Sequence, residues 1–277
     1  MSEVAALEPV QAAIAGTGIR LQLVVPRPDV EHRSVVLHDR ALDADGWFSG
    51  YCRRSIAVDP ADLISGAVDL LADPAPDHRG RDAPATDGPA IDVLLCGHGS
   101  RDRCCGSMGT ALAMAATAEG LEVRRTSHTG GHRFAPTGLV LPHGTAWAFL
   151  DEDALGRIVS MAGPVDDLIP HYRGSSAFAT PASQAAERVA FAAVGWPWLG
   201  YRRRVTELEP VEPVGAGEPA ETRVLVEGID PHGRLRSWTV ETAAGRRLPV
   251  PECGRDPSTA PKSETEVVIR EGQEITA

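Results

Sequence analysis

Lysine is almost missing from this chain: of 27 basic side chains, only Lys262 is a lysine. Together with abundant Ala, Gly and Pro, that preference for Arg reads as coding composition rather than function. Positive charge is also outnumbered, since 38 acidic residues leave a formal net charge of −11. No basic face is therefore on offer for a phosphate backbone, and nucleic-acid binding is not expected. Long apolar runs are absent as well. None approaches the roughly 18 residues that a membrane-spanning helix needs, so no membrane partner is expected. The opening residues MSEVAALEPV carry an early Glu and no basic stretch before an apolar core, which argues against a secretory signal. Cysteine is scarce, five in all, yet Cys96, Cys104 and Cys105 fall within ten residues. An odd, clustered set does not suit an extracellular disulfide framework. It suits a reducing compartment, the cytoplasm, where neighbouring thiols bind metal or do redox work.

What is present has ordinary globular proportions, 43% hydrophobic and 23% charged over 277 residues, enough for one large domain or a few small ones. The N-terminal part offers two β-type runs, Ile19–Val25 and Ser34–Leu37, and a helix from Pro60 to Leu71 with Asp59 before its proline. Residues 73–89 are crowded with Pro, Gly and Asp and read as a linker or long loop. The pattern then becomes regular. Ile91–Leu95 reads as a buried strand, Ser107–Glu119 as a helix ended by Gly120, and Leu121–Thr126 as a strand. Thr137–Leu141 and Thr145–Leu150 form a hairpin, and a helix follows from Asp151 to about Ala162. The order β-α-β then β-β-α is that of a thioredoxin-like domain. Gln184–Val194 predicts a further helix, Glu207–Glu221 a linker, and Thr222–Gly228 with Leu235–Thr242 a β-hairpin; the last fifteen residues read as polar and partly frayed. The fold class expected is thus α/β. An N-terminal α/β region, readable as a degenerate thioredoxin-like half, covers 1–82; a thioredoxin-like domain covers 83–204; and a small β-rich C-terminal extension covers 205–277.

Chemistry concentrates in Cys96-Gly-His98-Gly-Ser-Arg-Asp-Arg-Cys104-Cys105-Gly and in Ser127-His128-Thr-Gly130-Gly131-His132. Cys and His are the ligand types that transition metals select, and each group leaves the end of an expected strand. Cys104 and Cys105 are adjacent, so their side chains point apart and one of them is the spare thiol. His128 and His132 are four apart, a spacing that on a helix would serve a zinc peptidase. Gly130-Gly131 would break that helix, and no Glu follows His128 as the peptidase motif requires. A tight loop that lets backbone approach a bulky object suits the two glycines better.

On CGHGSRDRCCGSMG and TSHTGGHRFAPTGLVLPHGTAWAFL, then YRGSSAFATPASQAAER and more weakly LPVPECGRDP, the chain resembles the sucrase/ferredoxin-like family. The resemblance implies a thioredoxin-like ferredoxin domain holding a [2Fe–2S] cluster through two Cys and two His. Carried over, the ligands are Cys96, Cys105, His128 and His132, with the cysteines on one iron and the histidines on the other. The family pattern sets the ligand directly before the glycine that opens the helix, which favours Cys105 and leaves Cys104 as the alternative. Implied in turn are a one-electron carrier, a redox partner protein and, through neutral imidazole ligands, proton coupling and a raised potential. The sucrase half of the name finds no support, because glycoside hydrolysis needs two placed carboxylates and no such pair stands out. Two rivals use the same residues: a structural Cys2His2 zinc site, and a thiol–disulfide enzyme using Cys96 with Cys104 or Cys105, which lacks the Cys-x-x-Cys spacing. His98, His143, His171, Cys52 and Cys253 read as ordinary residues. Arg101 and Asp102 read equally as a loop ion pair or as a solvated turn, and Arg133 and Phe134 are candidates for flanking the cluster.

Overall fold

Two sheets organise the computed structural model, which describes residues 6–26, 31–73, 91–97, 104–130, 134–211, 221–250 and 256–275. A short helix α1 (Glu8–Ile14) precedes an antiparallel pair, β1 (Arg33–Leu42) and β2 (Phe48–Val58), and the helix α2 (Leu63–Ala72). Next come β3 (Asp92–Cys96), α3 (Thr110–Ala118), β4 (Val123–Thr126), β5 (Gly138–Leu141), β6 (Thr145–Trp147), α4 (Glu152–Ser160) and β7 (Tyr172–Ser175). The long helix α5 (Pro181–Val194) leads to β8 (Arg202–Val211), β9 (Glu221–Ile229), β10 (Leu235–Pro249) and β11 (Ser263–Ile275). The result is a mixed α/β protein with five helices among the described residues.

The five-stranded sheet runs β4-β3-β5-β6-β7. Only β3 and β4 are parallel, joined by the α3 crossover, and the others are antiparallel. As a central strand with both faces covered, β3 is buried at every position, which is why DVLLC shows no alternation. Helix α4 starts where Asp151 accepts a hydrogen bond from Ala154 N at 2.8 Å, a cap of about 1 kcal/mol. Thr180 caps α5 in the same way through Ser183 N at 3.0 Å, with Pro181 at its first position.

The six-stranded sheet, β1-β2-β8-β9-β10-β11, draws strands from both ends of the chain. On β9 and β10 the inward positions Val224, Val226, Trp238 and Val240 are buried at alternate residues. They join one core with Leu95, Trp147, Leu155, Tyr172 and Phe191, with α5 between the sheets. A buried polar knot ties the layers. Glu187 of α5 accepts from Tyr172 Oη at 2.7 Å and Trp198 Nε1 at 2.6 Å and pairs with Arg203 Nη1 at 3.3 Å; Arg203 also donates to His143 O.

Several expectations are corrected. Residues 19–25 form no strand of their own; they lie beside β4 through a single bridge, Val24 to Thr126. Strands β2 and β7 were not anticipated, and β1 extends well beyond Ser34–Leu37. β8 reaches Val211, inside the expected linker. The partial fraying expected of the last fifteen residues is not seen over residues 263–275, where β11 pairs along β10 from Pro249↔Ser263 to Ser237↔Ile275. Its order comes from ladder hydrogen bonds at an edge, where polar side chains suffice. No helix among the described residues is long and apolar enough to cross a membrane.

Candidate functional site

Cys96 ends β3 fully buried, and its N–H donates to Thr137 O at 2.9 Å. In the parallel ladder it is the register partner of Thr126, the last residue of β4, and Gly97 N donates to Thr126 O at 2.9 Å. The strand order therefore delivers Cys96 and the 127–130 segment to the same end of the sheet. Residues 98–103, with His98, Arg101 and Asp102, lie outside the described residues.

Helical structure resumes at Cys104 and passes through one π-type turn, Cys105–Gly109, before α3. Such turns recur at functional sites because they re-aim side chains. Here Cys105 is fully buried while Cys104 is half-buried, so the two thiols do face different surroundings. Gly109 presses on the Cys96 carbonyl so tightly that a Cβ would overlap it, which draws the first turn onto the end of β3. Cys105 and Cys96 are thus brought to one corner by strand register and by a glycine contact.

His128 follows β4 and is exposed. Its neighbours are strapped by the N-terminal segment: Ser127 N donates to Leu23 O at 2.7 Å, and Gln22 Oε1 accepts from Thr126 Oγ1 and Ser127 Oγ, both at 3.1 Å. Gln22 Nε2 reaches His128 O at 3.4 Å. Thr129 and Thr137 hydroxyls lie 3.0 Å apart. Residues 131–133, with His132 and Arg133, lie outside the described residues, as does Cys253.

Arg173 touches both of the described residues that flank 131–133. Arg173 of β7 donates to Gly130 O at 3.4 Å, and its guanidinium lies 5.0 Å from the Phe134 ring centre. Phe134 stacks edge-on with Phe149 at 5.6 Å, and Phe149 N donates to Phe134 O at 2.8 Å. A cleft of about 1820 Å³ between the N-terminal segment, β1 and α2 reaches Thr129, Gly130 and Arg173, but neither Cys96 nor Cys105 lines it. Sequence reading did not single out Gln22, Gly109 or Arg173. Arg173 lies inside the YRGSS motif, the only signal that pointed near it.

The remaining candidates have structural surroundings. His143 sits in the β5–β6 turn, where burial, then the Arg203 charge, push its ring below the ordinary imidazole range against an opposing backbone hydrogen bond to Leu199. His171 Nδ1 lies 3.0 Å from Ala148 O. Cys52 is buried in β2, and burial, then Asp39, push its thiol up.

Among the described residues no three of His, Cys, Asp and Glu gather around one point closely enough to hold a metal ion. A two-iron cluster asks for something else, two pairs of ligands on opposite irons. The donor set fits that demand in kind. A buried Cys pair occupies one corner, and an exposed His follows the end of the neighbouring strand β4, with the fourth candidate, His132, outside the described residues.

Comparisons with curated proteins and with solved structures return no match. The family model described as sucrase/ferredoxin-like matches residues 24–174, which is more than half of the chain and contains every candidate ligand. The chain belongs to the sucrase/ferredoxin-like family.

Proposed function

We propose that this chain is a one-electron carrier whose [2Fe–2S] cluster is held by Cys96, Cys105, His128 and His132. The observation that carries the reading is the corner where Cys96 ends β3 and Gly109 locks the Cys105 turn onto it, beside the parallel strand that presents His128. The strand order β4-β3-β5-β6, with one parallel pair across α3 and then a hairpin and a helix, supports a thioredoxin-like ferredoxin domain.

Bound there, the cluster would supply reversible one-electron chemistry. The buried cysteines would keep water from the thiolates. The exposed His128 would mark the face where a redox partner approaches, and its outer ring nitrogen is where a proton would be held or released. The depth of Cys96 and Cys105 weighs against a thiol–disulfide enzyme built on that pair, whose attacking sulfur must be reached.

Protein purified without oxygen is expected to be red-brown, with iron and acid-labile sulfide in equal amounts and colour that bleaches reversibly on reduction. Colourless protein with stoichiometric zinc, or metal-free protein with thiol-exchange activity, would overturn the reading.

A further inference from the structure

We infer that Arg173 is a positioning residue for the histidine-bearing loop, tying Gly130 to Phe134 and so fixing the chain on either side of residues 131–133. The inference rests on the reading of His128 and His132 as ligands.

Gly130 has a φ of +97°, a conformation natural to glycine, and Gly131 follows it. Glycine imposes little shape of its own, so the described segment that carries His128 and ends at Gly130 gains from an outside tether. Arg173 is suited to that task because a guanidinium is both planar and rich in donors. One nitrogen donates to Gly130 O while the guanidinium carbon lies over the Phe134 ring. A lysine can offer its compact charge to one of these groups but cannot span both as the wider guanidinium does.

The tether is itself anchored. Tyr172, next to it, is fully buried and hydrogen-bonded to Glu187. On the other side Gly174, with a φ of +92°, lies directly against the Gln184 backbone, where any Cβ would overlap. The base of Arg173 therefore has little room to shift.

Phe134 is gripped from its far side too. Phe149 donates its N–H to Phe134 O although Phe149 has a φ of +51°, which costs a bulky residue about 1 kcal/mol or more. Its ring stays 49% exposed, so burial of Phe149 does not account for the conformation. A local geometry of that cost points to a need to hold Phe134 in place. The guanidinium also sets a positive charge beside the loop, which favours the more negative, reduced form of a cluster bound there.

The test uses full-length Arg173→Ala and Arg173→Lys. In metal-stripped protein, amide hydrogen exchange at Phe149 is expected to be about tenfold faster in both variants, with Val226 in the distant sheet unchanged. In protein as purified, iron release to a chelator should be about tenfold faster in both, while the midpoint potential falls in Arg173→Ala and is restored by Arg173→Lys. That split between geometry and charge would not arise from general loosening. Unchanged exchange at Phe149 in Arg173→Ala, or exchange rising equally at Val226, would overturn the inference. If the wild type holds no iron, the electron-carrier reading fails, and the exchange measurement still decides whether Arg173 ties the loop.

Discussion

Gly109 lies directly against the carbonyl of Cys96, and a Cβ at that position would overlap the oxygen and come within 3.2 Å of the carbonyl carbon. Backbone cannot yield as the end of a flexible side chain can. The contact joins the first turn before α3 to the end of β3, and with it sets Cys105 relative to Cys96.

Gly109→Ala is therefore expected to destabilise the protein by about 1–3 kcal/mol in urea denaturation and to lower its iron and sulfide content. Gly156→Ala is the control. Its Cβ would meet nothing within 4 Å on α4, and the change should be neutral or stabilising by up to about 1 kcal/mol. Equal behaviour of the two variants would remove the significance of the Cys96 contact.

Asp92, at the start of β3, is buried beside His38 Nε2 at 3.5 Å and Arg124 Nε at 3.3 Å. Burial on its own raises the carboxyl, but the His38 hydrogen bond and the Arg124, His38 and Arg53 charges outweigh it and hold Asp92 below its ordinary value. A depressed carboxylate adds stability above its unfolded pKa of about 3.9, and that stability is lost as pH falls through the lower folded value. Asp92→Asn should thus cost about 3 kcal/mol near neutral pH and flatten the loss of stability below about pH 4. Parallel acid-denaturation curves for wild type and variant would contradict this.

The ion pair between Glu187 and Arg203 is wholly buried on both sides. Glu187→Gln leaves the guanidinium without its counter-charge, and a loss of about 3–5 kcal/mol is expected in chemical denaturation. A loss under about 1 kcal/mol would show that water or rearranged neighbours replace the carboxylate.

Much of this frame is legible in the chain because periodicity and capping agree. β3, the β5–β6 hairpin, α4 with Asp151 ahead of it, α5 from Gln184 onward and the β9–β10 hairpin all follow from local signals, whereas the true start of α5 at Pro181, capped by Thr180, lies three residues before the expected one. The elements that escape have no such signal. β2 carries Arg53, Arg54 and Ser55 where alternation would be sought, and β7 is only four residues long. β11 is a polar edge whose order depends on β10. The candidate ligands are legible as residue types and spacing, whereas their arrangement is not. Arg173 acts across 43 positions on Gly130, and Gln22 acts across 104 on Thr126. Such pairings are set by sheet order, which no local pattern encodes.

The choice between the adjacent thiols bears most directly on the proposed centre, since Cys105 is fully buried beside the Cys96 corner and Cys104 is not. The decisive measurement is the visible and EPR spectrum, with iron and sulfide content, of wild type, Cys104→Ser and Cys105→Ser purified without oxygen. The account predicts a [2Fe–2S] spectrum in wild type and Cys104→Ser and its loss in Cys105→Ser. A spectrum kept in Cys105→Ser and lost in Cys104→Ser, or absent from all three proteins, would contradict it.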